Sequence, residues 1–494
     1  MKKIALLFLL LYKSALFSQT ILTSYPLDLK ESNEFNQSLN IENEQTHEVF
    51  VLISDNKNIT ILKYNSSLFL ADKFITPLKN TDYKSLVGYS FSDDSNPTFY
   101  WASIDYSTIL AVKFYFENKT TRTINFHYPS SAQYVVSEFQ QNNSYNIVSK
   151  DLSEQTLALY TFKNGVVEEK LFDFSAFHFQ DKNGKAQSFS KIIRENPVEK
   201  MEASDYNPLY KGTAKSKLYV LPNHMILTLD HNPKKTQIFD LNLDTEEIKE
   251  KNFTKTVSEK PKKLSNSFLQ DNKLYQISAN EDELLLDVKD YNSDQTLKSI
   301  KISKNDTIRF KISPLIIQRE GQKQSELKTT KKFLKHLSYL DVGVSVFKNN
   351  QNTYITLGGT PKMMNENNTP LYNYGFFDSE FEQMFPQYNS VGINVHSENV
   401  YFESVFDANY TFVNQEKLEP LALDNIYYFL NMNQNAMLEN ILKFKDFYIL
   451  GYYDRASKQY VMRRFQDGFN LDDPLLDPHN YPSAFKKRLP PKRP

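Results

Sequence analysis

The sequence predicts an all-β chain made of repeated units of four short antiparallel strands. The clearest unit contains "NKLYQISANEDELLLDVKDY", residues 272–291, where apolar residues alternate with polar ones on both sides of a polar run. Alternation with period two around a polar turn is typical of a β-hairpin. Short apolar runs at 265–271 and 296–302 flank this hairpin. Together they predict four consecutive strands in one sheet.

The same unit recurs along the chain. The second strands of the units are predicted to begin near Ile59, Tyr100, Tyr145, Met225, Leu274, Tyr354 and Phe447. The first intervals are about 40–45 residues long, which is the period of a propeller blade. Over residues 20–466 the chain resembles seven-bladed β-propellers of four-stranded antiparallel blades. The resemblance rests on strand rhythm and assigns no specific family, because no Gly-His or Trp-Asp signature repeats and only 12 glycines are present.

The last two units are the least regular. The sixth is predicted to use "VGVSVFKN", "TYITLGG", "NVYFESVFD" and "YTFVN", and the seventh offers only three strands. The N-terminal "ILTSYPLDL" is the predicted fourth strand of the seventh unit, which would close the ring and remove exposed sheet edges. A pair of β-sandwiches, an open β-solenoid and an eight-bladed ring remain alternatives.

Four insertions interrupt the strand rhythm, near 174–215, 303–340, 359–398 and 414–438. By their positions between strands, all four are predicted to project from one face, and insertions in repeat proteins often mark the binding face. The second contains a predicted amphipathic helix with Ser325 as its N-cap. Its lysines are interpreted as a solvated face.

The third insertion is rich in aromatic residues, which supply much of the binding energy at protein interfaces. The predicted partner-binding residues are Tyr372, Tyr374, Phe376, Phe377, Phe385 and Tyr388. The alternative is that these side chains pack the insertion onto its own blade.

The N-terminal residues 1–18, MKKIALLFLLLYKSALFS, are typical of a secretory signal peptide. The mature chain is therefore predicted to be periplasmic or secreted, and without cysteine it must rely on core burial for stability. The C-terminal residues 467–494 are predicted to be an extended, proline-rich, basic tail. Its last segment, SAFKKRLPPKRP, could dock on an acidic partner or an anionic membrane surface, and the alternative is a solvated, frayed end.

The sequence carries no motif that would indicate a reaction. No HExxH, GxSxG, phosphate-binding or dinucleotide-binding motif is present, so we predict no catalytic residue, no metal site and no cofactor. The nearly balanced charges, 58 basic against 59 acidic residues, give no global argument for nucleic acid as a partner.

The leading hypothesis is a non-enzymatic binding scaffold or accessory subunit of a cell-envelope machine, such as an outer-membrane secretion or uptake system. The richness in lysine, asparagine, tyrosine and phenylalanine resembles exported proteins of Bacteroidota-type bacteria. An envelope protein partner and association with the membrane periphery are expected from that resemblance. The alternative is a glycan-active or glycan-binding propeller whose site lies at the mouth of the central tunnel.

Overall fold

The computed structural model describes residues 19–468 except 30–35, 56, 78–84, 182, 204, 257–263, 320–323, 350–351, 362–397 and 415–418. The predicted signal peptide and residues 469–494 of the predicted tail therefore lie outside the described residues. The described residues contain seven sheets of four or five strands, numbered 1 to 7 here, and one two-stranded sheet.

Sheets 1 to 3 are regular antiparallel sheets whose strands follow chain order. They come after β1 (Gln19–Pro26), which belongs to sheet 7. Sheet 1 contains β2 (Gln37–Glu42), β3 (Val49–Ser54), β4 (Asn58–Tyr64) and β5 (Leu70–Pro77). Sheet 2 contains β6 (Ser85–Phe91), β7 (Pro97–Ala102), β8 (Thr108–Tyr115) and β9 (Thr120–His127). Sheet 3 contains β10 (Gln133–Gln141), β11 (Ser144–Asp151), β12 (Thr156–Lys163) and β13 (Val166–Asp173).

Sheets 4 and 5 continue the pattern after the first insertion. That insertion contains β14 (Phe179–Gln180), β15 (Ala186–Gln187) and β16 (Val198–Met201). Sheet 4 contains β17 (Ser216–Val220), β18 (His224–Leu229), β19 (Lys235–Asn242) and β20 (Ile248–Thr254), with β16 added parallel to β17. Sheet 5 contains β21 (Leu264–Gln270), β22 (Lys273–Ala279), β23 (Glu283–Asp290) and β24 (Thr296–Ser303). The hairpin predicted within 272–291 is formed by β22 and β23.

Sheet 6 differs from the prediction in its fourth strand. It contains β25 (Ile316–Arg319), β26 (Ser325–Glu326), β27 (Asp341–Asn349), β28 (Asn352–Thr360) and β29 (Glu398–Phe406). The strand beside β29 is β25, which precedes β27 in the chain. The predicted strand "YTFVN" is wrong: it forms only an isolated bridge between Phe406 and Phe412. Ile316 and Ile317 are buried, so this apolar pair takes the sheet position.

Sheet 7 joins the two ends of the described chain. It contains β30 (Ala436–Phe444), β31 (Phe447–Asp454) and β32 (Gln459–Phe465), and β1 pairs antiparallel with β32. Sheet 7 also contacts sheet 1, since the Asn40 backbone N–H donates to Asn440 Oδ1 at 2.9 Å and the Tyr460 hydroxyl donates to Asn40 Oδ1 at 2.5 Å. Consecutive four-stranded antiparallel sheets are the construction of a β-propeller, and at that level the all-β prediction is confirmed.

In the described part of the chain, every helix lies in an insertion. These helices are α1 (Phe189–Glu195), α2 (Leu209–Gly212), α3 (Thr330–Leu337) and α4 (Ala422–Met432). The helix predicted within 325–340 is present as α3, with Phe333, Leu334 and Leu337 buried. The predicted N-cap is wrong: Thr329 Oγ1 accepts from the Lys332 backbone N–H, and Ser325 lies in β26.

The core is built from the faces between neighbouring sheets. The second strand of sheet 1, β3, is buried at every position, whereas the outermost strand, β5, is mostly exposed. A strand covered on both faces needs a continuous apolar run, which explains "VFVLIS" in β3. Trp101 is 5% exposed and packs with Phe99 in the core between sheets 1 and 2.

Asparagine and aspartate replace glycine in several hairpin turns. The β10–β11 turn has positive φ at Asn142 and Asn143, and the β21–β22 turn has positive φ at Asp271 and Asn272. Two-residue hairpins require this left-handed backbone, and Asn and Asp tolerate it better than other side chains. The low glycine content is therefore compatible with many tight hairpins.

Sheets 4 and 5 are joined by a fully buried ionic network. The Asp230 carboxylate is 3.0 Å from Lys255 Nζ and 3.4 Å from Lys217 Nζ, and all three side chains are inaccessible to solvent. It also accepts from the Ser267 hydroxyl at 2.7 Å and the Thr236 hydroxyl at 2.8 Å. Burial would raise the pKa of Asp230, but the ammonium groups of Lys255 and Lys217 hold it below its ordinary value. The Asp230 carboxylate is thus the counter-charge of both buried lysines, Lys217 and Lys255.

Residues 198–213, called the inner segment, run between the first strands of several sheets. Here β16 pairs with β17, and the Ser345 hydroxyl on β27 donates to the Asn207 carbonyl. The Thr213 and Thr360 hydroxyls are 2.9 Å apart. The inner segment therefore connects sheet 4 to sheet 6 through the interior.

The prediction that all four insertions project from one face is wrong for the inner segment. Its Tyr206 ring packs edge-on against Phe347, near the β27–β28 hairpin turn. This is the end of the sheets opposite to the predicted insertion face. We call it the first-hairpin end, because the first two strands of each sheet connect there. The inner segment lies in the interior because its own apolar side chains are buried there and its buried polar groups find hydrogen-bond partners there.

Gly212 is expected to be essential for this packing, because a Cβ at this position would lie 2.5 Å from the Val344 carbonyl oxygen. The position of this Cβ is set by the backbone of residue 212, and the oxygen belongs to the Val344 backbone. No side-chain rotation can therefore relieve the clash. Gly212→Ala is expected to lower the free energy of unfolding by about 1–3 kcal/mol, as overpacked interiors do. Chemical denaturation of this variant and of Ala456→Val, a control in an exposed turn, measures the effect. Equal stability of the two variants would contradict the close approach.

Candidate functional site

A concave site lies at the first-hairpin end, between sheets 6 and 7. We call it the Asp205 cleft, and its volume is about 440 Å³. Its apolar and aromatic lining residues are Tyr206, Phe347, Leu421, Ala422, Leu423 and Tyr448. Its charged and polar lining residues are Asp205, Lys348, Lys443, Asp446, Gln466 and Asp467. An apolar wall with a few convergent polar groups is the usual composition of a binding site.

Parts of the chain that are distant in sequence form the cleft. The inner segment brings Asp205 and Tyr206 to it, β27 contributes Phe347 and Lys348, and the start of α4 contributes one wall. Helix α4 packs on sheet 7, with Ile426 and Phe429 buried and the Phe429 ring against Tyr452 and Phe465. The cleft therefore depends on two insertions that enter the interior.

Asp205 is the centre of the polar contacts. Its Oδ2 lies 3.0 Å from Lys443 Nζ, and the Tyr448 hydroxyl donates to the same oxygen. The Asp205 side chain is 22% exposed and that of Lys443 is 50% exposed. Burial raises the pKa of Tyr448, and the adjacent Asp205 charge raises it further, so Tyr448 acts as a hydrogen-bond donor. These contacts fix the orientation of the Asp205 carboxylate.

Asp467 provides a second carboxylate at the rim. Its Oδ1 accepts from the Ala422 backbone N–H at 2.7 Å, at the start of α4. Removal from water raises the pKa of Asp467; the Ala422 hydrogen bond and Lys443 oppose the shift, and repulsion from Asp205 and Glu419 adds to it. The positive charge of Lys443 thus interacts favourably with both the Asp205 and the Asp467 carboxylates.

A second, smaller cavity of about 40 Å³ lies beside the Asp205 cleft and shares Lys348 with it. Lys348 Nζ is 3.3 Å from the Asp271 carboxylate, so this lysine is already paired. The Tyr275 and Tyr410 rings, whose centroids are 6.4 Å apart, form part of the smaller cavity. Both concave sites open among the first hairpins of sheets 5 to 7.

The predicted partner-binding residues cannot be placed on this site. Tyr372, Tyr374, Phe376, Phe377, Phe385 and Tyr388 lie outside the described residues. Their segment connects Thr360 to Glu398, at the end of sheet 6 opposite to Phe347 and Lys348. The six aromatic residues therefore remain a prediction.

The sequence-based interpretation did not find Asp205, Lys443 or Asp467. Each is a single charged residue that belongs to no motif, and 238 positions separate the paired Asp205 and Lys443. No local spacing could have linked them, because the inner segment brings Asp205 to sheet 7 only after folding.

In the described part of the chain, no three histidine, aspartate or glutamate side chains are grouped as they would need to be to hold a metal ion. None of the described helices is long and apolar enough to cross a membrane.

Comparisons with known proteins assign no family. No protein-family model matches the chain, and no curated protein matches its sequence. Similar solved structures include the Nup133 β-propeller domain of Vanderwaltozyma polyspora, at TM-score 0.29 and 10% identity over 91% of this chain and 100% of that one. The WD40 domain of SCAP from fission yeast has TM-score 0.29 and 8% identity over 92% and 88% of the chains. The Dos1 propeller has TM-score 0.25 and 10% identity over 92% and 98%. These scores are low, so the description of this chain rests on its own strand pairing.

Proposed function

We propose that the chain is an exported, seven-bladed β-propeller closed by its N-terminal strand, and that it serves as a non-enzymatic protein-binding scaffold. Its expected setting is the periplasm, as an accessory subunit of an outer-membrane secretion or uptake machine. The pairing of β1 with β32 and the Asn40–Asn440 contact between sheets 1 and 7 support a closed ring.

The observation that carries the proposal is the position of the inner segment. A glycan-active propeller would need an open tunnel mouth at which carboxylates of several blades converge on a substrate. Between sheets 4 and 6, the Asn207 carbonyl, Gly212 and the Thr213 hydroxyl instead contact β27 and β28 directly. The chain itself occupies this part of the interior, which favours binding at the surface over catalysis on the axis.

The first-hairpin end supplies a surface suited to a protein partner. Aromatic residues and charged groups lie side by side in the Asp205 cleft, and protein interfaces are enriched in aromatic anchors within a polar rim. A rigid sheet framework keeps such a surface in place without a partner, so little conformational entropy is lost on binding.

Affinity purification of the tagged full chain, expressed at its native level and extracted with mild detergent, tests this proposal. We expect a protein partner to be recovered in fixed proportion to the chain after washing. A matched purification of an unrelated tagged exported protein is the control. Recovery of the chain alone, together with cleavage of glycan substrates by the purified chain, would favour the enzymatic alternative and contradict the proposal.

A further inference from the structure

The charges in the Asp205 cleft are not balanced by the lysines that line it. Lys443 is shared between the carboxylates of Asp205 and Asp467, which repel each other. Lys348 is paired with Asp271, which lies outside the cleft. With Asp446 also on the lining, the cleft has three carboxylates for two ammonium groups. An additional cation would reduce the repulsion.

The walls of the cleft suit a cation that has an apolar stem. Tyr206, Phe347 and Tyr448 provide aromatic surface next to the carboxylates. Aromatic faces attract guanidinium and ammonium groups, and the methylene groups of arginine and lysine pack well on apolar walls. Arg463 already shows this contact in the protein, with its guanidinium carbon 4.6 Å from the centre of the Phe429 ring.

We propose that the Asp205 cleft binds a basic side chain, preferably arginine, of a partner polypeptide. The inference rests on the proposed function and names the chemistry of the partner at this site. Arginine is preferred over lysine because its planar guanidinium can pair with two carboxylates and stack on an aromatic ring at the same time. An acidic side chain would add a further negative charge to a cleft that already has a surplus.

The proposal is tested by measuring the weak binding of capped amino acids to the full chain. Saturation-transfer NMR detects this binding. The probes are N-acetyl-arginine methylamide and its neutral isostere N-acetyl-citrulline methylamide, with free L-arginine as a third probe. We expect the capped arginine to bind and the capped citrulline not to bind. Equal binding of the two capped probes would overturn the proposal. Binding of free L-arginine alone would indicate a small-molecule site and would overturn it as well.

Two variants with opposite expected effects exclude an indirect structural explanation. Asp467→Asn keeps an oxygen that can accept from the Ala422 N–H but removes one charge, so it should weaken binding of the capped arginine about three- to fivefold. Lys443→Met leaves two carboxylates without their shared lysine and should strengthen binding. Asp244→Asn, at an exposed turn of sheet 4, is the matched control and should leave binding unchanged. Unchanged binding in the Asp467 and Lys443 variants would refute the proposal.

Failure of this inference and failure of the proposed function give different results. If a partner is recovered with the wild-type chain and equally with Asp467→Asn, the scaffold function stands and the cleft is not its basic-side-chain site. If no partner is recovered but the capped arginine binds, the scaffold function fails while the cation preference of the cleft remains.

Discussion

Asp230→Asn is expected to lower the free energy of unfolding by about 3–5 kcal/mol, the usual cost of leaving buried charges without their partner. The variant keeps the size of the side chain and one accepting oxygen, but Lys217 and Lys255 lose the only carboxylate that they contact in the described structure. Burial already lowers the pKa of Lys217 to about 8 with Asp230 present. Urea denaturation monitored by circular dichroism measures the loss.

The matched variant Lys217→Met should be less harmful than Asp230→Asn. It removes the surplus cation and leaves Asp230 paired with Lys255, at the cost of the contacts that Lys217 makes with Asn266 and the Ala214 carbonyl. We expect a loss of about 1–3 kcal/mol, typical of buried acceptors left unsatisfied. If Lys217→Met destabilised the protein more than Asp230→Asn, the carboxylate would not be the centre of the network.

Stability is expected to fall between about pH 4.5 and pH 7 because of Glu138, by about 3 kcal/mol if the full shift in pKa is realised. Glu138 is 7% exposed and accepts from the Tyr145 hydroxyl at 2.5 Å and from the Tyr106 hydroxyl at 3.4 Å. Burial raises its pKa from 4.5 to about 7, and the two hydroxyl groups only partly oppose this shift. No cation is among the causes of the shift.

The direction of this pH effect follows from the two states. Between about pH 4.5 and pH 7 the folded protein keeps the Glu138 proton and the unfolded chain has released it, so the stabilisation is complete below pH 4.5 and is lost as pH rises through 7. Glu138→Gln mimics the protonated acid and should remove this step. Comparing denaturation midpoints of the two proteins at pH 5 and pH 8 measures it. An identical pH profile in both would show that Glu138 ionises freely.

The strands of the regular sheets could be predicted because the residue pattern that specifies each hairpin lies within a short stretch of sequence. In sheet 5, alternation around a polar turn specified β22 and β23, and long apolar runs marked strands that are buried on both faces. The fourth strand of sheet 6 could not be found in this way. β25 is only four residues long and pairs with a strand 82 positions later in the chain, counted from Ile316 to Glu398.

The candidate site was harder to predict from sequence than the fourth strand of sheet 6. Strand rhythm predicts where insertions interrupt the chain, but the direction of an insertion depends on tertiary contacts such as Gly212 against the Val344 carbonyl. An insertion looks alike in sequence whether it lies on a face or enters the interior, since both cases combine polar and aromatic residues. Asp205 pairs with Lys443 only because the inner segment enters the interior.

Disulfide formation between Thr213→Cys and Thr360→Cys tests most directly whether the inner segment lies against sheet 6. The two hydroxyl oxygens are 2.9 Å apart, so sulfur atoms at these positions would come within reach of a disulfide bond. The natural chain has no cysteine, so no other thiol competes. The pair Thr213→Cys and Thr245→Cys, with one partner at an exposed turn of sheet 4, is the control. We expect mild oxidation of the folded protein to crosslink the first pair rapidly and the control pair hardly at all; equal rates for the two pairs would contradict an inner segment packed between the sheets.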